Sequence, residues 1–230
     1  MKFADLVRLN EARSERRRVV AVTNLNSGDQ TVHVGSEAVE FEAGLKAGGA
    51  SRDVTSDQKS PDRDRRFVNV YLPPPRIVIV GAVHISQSLA ALAQITAFDV
   101  LIIDPRTAFA TPDRFQNVEV VAEWPEDVLR TRPLDQSTAL VALSHDPRID
   151  DSALASGLRQ NCFYVGALGS RKTHAKRLER LAEQGFSETL LHEIKGPIGI
   201  DIGAKTPPEI AVAILAEIIQ AWRQPNEVTP

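Results

Sequence analysis

At 230 residues, 43% of them hydrophobic, the chain has room for one large domain, or for a domain of ordinary size with a small appendage. Its 27 basic and 30 acidic residues leave a formal charge of −3, which, with no aromatic-rich basic patch, gives no reason to expect nucleic acid. A lone cysteine, Cys162, excludes an intramolecular disulfide and a zinc ribbon, and no apolar segment suits a signal peptide or a bilayer span, so a cytoplasmic protein with no membrane attachment is expected.

In chain order, Phe3, Leu6, Val7 and Leu9 suit one face of a short helix. The charged run from Arg13 to Arg18 reads as a solvated helix end, or as a contact for an anionic partner. Val19 to Leu25 and Thr31 to Val34 flank Asn26-Ser27-Gly28-Asp29, a hairpin turn. Residues 46–66, with Gly48-Gly49 and then mostly polar and charged positions, leave little to bury and predict a mobile linker. Phe67 to Leu72 reads as a strand and Pro73-Pro74-Pro75 as a stiff spacer. The expected organisation is a reduced, β-rich N-terminal domain over 1–72 and a second domain over 73–230.

Beyond the prolines, strands are expected at Arg76–Val80, Asp99–Ile103, Val118–Val121, Thr138–Leu143 and Phe163–Val165, with helices between and after them. Continuous apolar runs such as IVIV and VLII mark strands buried on both faces, hence a parallel sheet covered by helices. The fold class is α/β, a Rossmann-like doubly wound and mostly parallel sheet. Thr206, Pro207 and Glu209 supply an N-cap, a first-turn proline and a capping box. The helix they open has only Glu217 and Gln220 as polar residues between Ile210 and Trp222, so protein encloses it, either its own sheet or a second copy in a homodimer.

The most informative segment is VGALGSRKTHAKRLERL, Val165 to Leu181. An apolar run reaches a turn with Gly166 and Gly169, and Ser170 opens a basic helix carrying Arg171, Lys172, Lys176 and Arg177. A helix start exposes unpaired N–H groups and the positive end of the macrodipole, so this pattern predicts the phosphate end of a small-ligand site. The plainer alternative is a strand-to-helix turn whose charges lie on a solvated face. The segment is no P-loop, since Arg171 stands where a glycine should precede Lys172-Thr173.

Gly81 follows the first strand of the sheet where a dinucleotide fingerprint would begin, and Asp104 closes the next strand at the distance of a ribose-binding acid. Val83 and Ser86 occupy the second and third glycine positions, so the fold is supported while NAD(P) binding is weakened. His84 and His145 fall at the carboxyl ends of strands, where each can bond an anion or heterocycle, act as an acid–base group, or simply bond local backbone. Asp201, between Gly199 and Gly203, either meets a polar heterocycle or fixes its own turn. Ser144 lacks a nucleophile-elbow context. His33, His174 and His192 have no partners at metal-ligand spacing, so no metal site is expected. Cys162 reads as core, with sulfur handling as its alternative.

Four segments, PPPRIVIVGAVHISQSLA, DPRTAFATPDRF, SHDPRIDD, and VGALGSRKTHAKR with GPIGIDIGAKTPPEIAVAILAEII, taken in order and spacing, resemble the XdhC family of xanthine dehydrogenase accessory proteins. That family is related to the accessory proteins of carbon monoxide dehydrogenase. The resemblance covers roughly Leu72 to Arg223. It implies a Rossmann-like cofactor-binding chaperone, with no turnover of its own, that carries molybdenum cofactor (molybdopterin) as cargo. Its partners would be a cysteine desulfurase, which installs the terminal sulfido ligand, and a molybdenum hydroxylase apoenzyme such as xanthine dehydrogenase. On this reading Gly81, His84, Asp104, His145, Gly166, Gly169, Ser170, Arg171, Lys172 and Asp201 are the candidate cofactor-binding residues. Two departures stand out: Val83 sits where the family has the glycine of GAGH, and the first domain is short and lacks the glycine- and serine-containing motif usual there. The alternatives are an NAD(P)-dependent oxidoreductase on the same fold and a partner-binding module that has lost its ligand.

Overall fold

A computed structural model describes residues 2–47 and 66–224. The chain divides into two compact units, Met1–Pro74 and Pro75–Pro230.

The first unit contains α1 (Phe3–Ser14), β1 (Val19–Asn24), β2 (Gln30–Val34), α2 (Ser36–Ala47) and β3 (Arg66–Tyr71). The strands form an antiparallel sheet in the order β2-β1-β3. The hairpin pairs Val19 with Val34 and Thr23 with Gln30. Its turn is organised by the Asn24 carboxamide oxygen, which accepts from the amides of Asn26 and Ser27. Consecutive valines in β1 are explained by helices on both faces: Val19 joins Leu9 and Ala12 of α1, while Val20 and Val22 join Ala38 of α2. Helix α2 departs from the sequence expectation. Its segment holds few large apolar residues and an interior Gly44, so local propensity is weak, and packing on β1 and β3 decides the conformation. The linker expected near 46–66 lies outside the described residues except at its ends, where Lys46 and Ala47 close α2 and Arg66 opens β3.

The second unit runs β4 (Arg76–Val80), α3 (His84–Ile95), β5 (Asp99–Ile103), a 3₁₀ turn (Pro112–Arg114), β6 (Glu119–Val121), α4 (Pro125–Thr131), β7 (Thr138–Ala142), α5 (Pro147–Arg159), β8 (Tyr164–Ala167), α6 (Arg171–Glu183), α7 (Glu188–Leu191), β9 (Ile194–Lys195) and α8 (Pro207–Arg223). All six strands are parallel, in the order β6-β5-β4-β7-β8-β9. Numbered within the unit this is 3-2-1-4-5-6, the doubly wound Rossmann order, with its switch point between β4 and β7. Side chains alternate between two cores. Ile77 and Ile79 pack with Leu89 of α3 and Ile214 and Ile218 of α8, whereas Val78 and Val80 pack with Leu154 and Leu158 of α5 and Leu181 of α6. Strand β9, only two residues long, is a further addition to the expected elements. It exists because Ile194 and Lys195 extend the ladder of β8 at Val165 and Gly166.

Helix α8 starts as its sequence requires: the Glu209 carboxylate accepts from the amides of Thr206 and Lys205. One face is buried in the core, but Val212 is 48% exposed, and Ala216 and Ile219 line an apolar hollow with Ile200. Protein therefore encloses the helix on one side only. Among the described residues no helix is long and apolar enough to cross a membrane.

Candidate functional site

Parallel strands send their carboxyl ends to one edge of the sheet, and there the chain gathers the turns after β4, β5, β7, β8 and β9. The first is the tightest. Gly81 has φ +109°, and a Cβ placed on it would lie 2.7 Å from the Ser144 amide nitrogen and 2.9 Å from its Cα. Glycine is thus required here for contact between the turns after β4 and β7 across the switch point. Ser86, at the third fingerprint position, is fully buried; its hydroxyl donates to the Gly81 carbonyl and accepts from the Val83 amide. The Ala82 amide donates to Asp104 at 2.7 Å. Neither the Ala82 nor the Val83 amide is left to offer a pyrophosphate.

Asp104 is fully buried, and its carboxylate also takes the amide of Arg106 and a bidentate pair from the Arg106 guanidinium at 2.9 and 2.7 Å. Burial would raise this carboxyl, but hydrogen bonds from Arg106 and Ala82 outweigh it and hold the pKa below its ordinary value. The acid expected to meet a ribose spends its oxygens inside the turn. Arg106 stacks over the Phe109 ring, 4.5 Å from its centroid, and Arg114 donates to the carbonyls of Ala82 and Phe109. DPRTAFATPDRF is therefore a brace under the turn after β4. The signal for it in the sequence is the arginine two residues beyond the acid, close enough to close on it.

After β7 the chain enters His145 at φ +64°, a left-handed conformation that histidine adopts more readily than most residues. His145 is exposed. Asp146 caps α5 by accepting from the Arg148 amide at 3.0 Å and pairs with its guanidinium at 2.7 Å. These bonds depress its pKa to about 2. Behind them Asp150 is buried, accepting from the Ser144 hydroxyl at 2.6 Å and its amide at 3.3 Å, and burial raises its pKa.

Beyond β8, Ser170 is the N-cap of α6; its hydroxyl accepts from the Thr173 amide. The amides of Arg171 and Lys172 meet no acceptor among the described residues, and both side chains are exposed. Gly169, at φ +144°, lies against Thr173 and Arg177. Gly166 has a different reason to be glycine. It sits inside β8, where a Cβ would come within 2.6 Å of the Tyr164 hydroxyl and 2.8 Å of Ile198. Between the first turns of α5 and α6 lies a cleft of about 300 Å³, lined on one side by His145, Asp150 and Asp151 and on the other by Lys172, Arg177 and Arg180. The structure thus brings His145 and Lys172, predicted separately, to one cavity. Asp151 is paired with Arg180 at 2.6 and 3.0 Å. In the sequence Arg177 is one more charge of a basic run, but in the fold it is 2% exposed.

His84 opens α3 on an exposed position, and Asp201 is exposed with its carboxylate accepting from the Gly203 amide at 3.2 Å; neither lines this cleft. The turn holding Asp201 is anchored from below by Glu217, which accepts from the Tyr164 hydroxyl at 2.6 Å and the Gly199 amide at 2.8 Å. Cys162 precedes β8 and so lies at the amino end of the strands, opposite the candidate site, and burial pushes its thiol up to about 12. Among the described residues no three of His, Cys, Asp and Glu gather as metal donors.

Residues 77–218 match the family profile described as the XdhC Rossmann domain. The chain is 33% identical over 159 residues to a probable xanthine dehydrogenase subunit of Bacillus subtilis, covering 69% of this chain and 46% of that protein. It is 30% identical over 148 residues to the molybdenum cofactor insertion chaperone PaoD of Escherichia coli, covering 64% of this chain and 40% of that protein. The chain thus spans less than half the length of these relatives. Its fold is similar to the crystal structure of a xanthine dehydrogenase from Bacillus halodurans, with a TM-score of 0.63, 21% identity, and coverage of 99% of this chain and 66% of that one. With well over half of its length matched by the profile, the chain belongs to the XdhC family through its Rossmann domain.

Proposed function

We propose that this chain is a cytoplasmic accessory protein that binds molybdenum cofactor as cargo and supports its sulfuration and insertion into a molybdenum hydroxylase such as xanthine dehydrogenase, without turnover of its own. The observation that carries this reading is the basic start of α6 opening on a cleft it shares with His145 at the carboxyl edge of the sheet. A molybdopterin mononucleotide has one phosphate and a polar pterin. One helix start with Ser170, Arg171 and Lys172 suits one phosphate, while His145 and Asp201 suit pterin edges or the oxo-metal end. The first turn supports the same choice over a dinucleotide, because its Ala82 and Val83 amides are satisfied internally and Asp104 is held by Arg106. The family's relatives named for xanthine dehydrogenase and for cofactor insertion favour an apo-hydroxylase as recipient. A cysteine desulfurase is the partner that sulfuration requires, and a homodimer through the open face of α8 would cover Val212, Ala216 and Ile219.

The test is retention on ultrafiltration, with isolated molybdenum cofactor and NAD(P) offered separately to the purified chain. Retention of pterin and molybdenum near one per chain, with no nicotinamide, is the expected result; nicotinamide alone would make the protein an oxidoreductase and overturn the proposal. Light scattering decides the dimer, which fails if the particle is the 25.2 kDa of a single chain.

A further inference from the structure

Among the described residues, Arg177 is a buried cation with unmade hydrogen bonds. Its Nη2 donates to the Leu168 carbonyl at 2.9 Å, but Nε and Nη1 are buried and meet no acceptor among the described residues. The two nearby acids are engaged elsewhere, Asp150 by Ser144 and Asp151 by Arg180. No carboxylate among the described residues lies within ion-pair distance of Arg177. Burial lowers its pKa, against the opposing pull of the Asp150 and Asp151 charges nearby. A buried guanidinium with unmade hydrogen bonds is costly, so such a group calls for an acceptor.

We propose that the cleft between the first turns of α5 and α6 binds a phosphate-class oxyanion, with Arg177 as its buried anchor. Arg177 lines this cleft, and its Nε and Nη1 are buried without an acceptor among the described residues. Nε and Nη1 lie on opposite edges of the planar guanidinium, so one oxyanion oxygen can take one of these donors in a charge-assisted hydrogen bond. Lys172 and Lys176, one turn apart on the same helix face, line the same space. The α6 start adds the unaccepted amides of Arg171 and Lys172 and the positive dipole end. Counting Lys172, Lys176, Arg177 and Arg180 against Asp150 and Asp151, the lining carries an excess of two positive charges. A volume of about 300 Å³ is at the small end of ligand sites, enough for a phosphate together with part of the group it esterifies. The inference deepens the cofactor-carrier reading and rests on it for the identity of the phosphate's bearer; the anion site itself does not depend on that identity.

The probe is inorganic phosphate, added to the full chain against chloride at equal ionic strength and read by thermal shift and calorimetry. Saturable phosphate binding is expected, raising Tm by about 5 °C at a hundredfold excess over Kd, and Arg177→Met abolishes it. Equal effects of phosphate and chloride, or an undiminished phosphate shift in Arg177→Met, overturn the proposal. If Arg177→Met does not fold, the exposed pair Lys172→Ala/Lys176→Ala replaces it, with phosphate bound roughly tenfold more weakly and an unchanged Tm in chloride. Wild-type affinity in that pair also overturns the site. Isolated molybdenum cofactor that displaces phosphate competitively identifies an esterified phosphate as the natural occupant. If phosphate binds as stated and the cofactor is not retained, the anion site stands and the cargo reading falls. If Arg177→Met retains cofactor at wild-type affinity, the cargo reading stands and the anchor falls.

Discussion

Asp104 and Arg106 form a bidentate pair at 2.9 and 2.7 Å at the end of a strand where a dinucleotide-binding fold leaves its acid facing a ribose. The same carboxylate accepts the Ala82 amide, so one buried group ties the turn after β5 to the turn after β4. Asp104→Asn removes the counter-charge of Arg106 and one of the strong acceptors. Breaking a buried pair from one side costs about 3 kcal/mol, and the one-third exposure of Arg106 keeps the value at that end of the range. Urea denaturation at pH 7 measures it. A loss below about 1 kcal/mol would mean that solvent already screens the pair.

Asp146 gives the pH dependence its sign. Its folded pKa of about 2 lies below its ordinary 3.8 because the Arg148 guanidinium and amide both bond the charged carboxylate. Stability from a depressed carboxyl is fully present above the unfolded pKa and is lost as pH falls through the folded one. Asp146→Asn keeps an N-cap oxygen but discards the charge. The stability gap between wild type and variant should therefore be constant from pH 7 down to about 5 and close between about 4 and 2. Denaturation midpoints at pH 7, 5, 3.5 and 2.5 check this. A gap independent of pH would mean the carboxylate charge contributes nothing beyond the cap.

Two glycines with positive φ separate contact from conformation. Gly81→Ala forces a Cβ to 2.7 Å from the backbone of Ser144, whereas Gly185, just past the end of α6 at φ +89°, has nothing within 4 Å of its Cβ position. Gly185→Ala carries only the left-handed penalty, about 1 kcal/mol. Gly81→Ala adds a backbone clash that can be relieved only by parting β4 from β7, and about 3 kcal/mol or more is expected. Equal losses for the two variants in chemical denaturation would show that the turn after β4 yields easily.

The sheet was legible because both of its faces are covered. Ile77 to Val80 and Val100 to Ile103 are apolar at consecutive positions, a pattern that only a strand between two helical layers sustains over so few residues. Helix α8 was legible from Thr206, Pro207 and Glu209, which act locally. Helix α2 was not, since Ala38 and Phe41 gain their role only from Val20 and Val22. In the candidate site the sequence shows the chemical type of each motif residue but not its environment. Gly166 carries the signature of a ligand turn but makes room for the Tyr164 hydroxyl and Ile198. Arg177 reads like Lys176 and Arg180 in a basic run. The one signal of its burial is its place one turn before Leu181, the residue that takes α6 into the core.

Cys162 tests where sulfur is handled. A role as a persulfide carrier requires a thiolate, and electropositive, accessible surroundings favour it. Here burial, with Asp135 adding to it, pushes the thiol up to about 12, and the residue lies at the amino end of β8, away from the α6 cleft. At pH 8 the thiolate fraction of such a group falls on the order of a thousandfold below that of a free cysteine. Alkylation by iodoacetamide should accordingly be slower by that order in the folded chain than in the chain unfolded in urea. Cys162→Ala should leave retention of molybdenum cofactor unchanged. Rapid alkylation of the folded protein, or loss of cofactor retention in Cys162→Ala, would return this cysteine to the functional residues and place sulfur chemistry at the edge of the sheet opposite the candidate site.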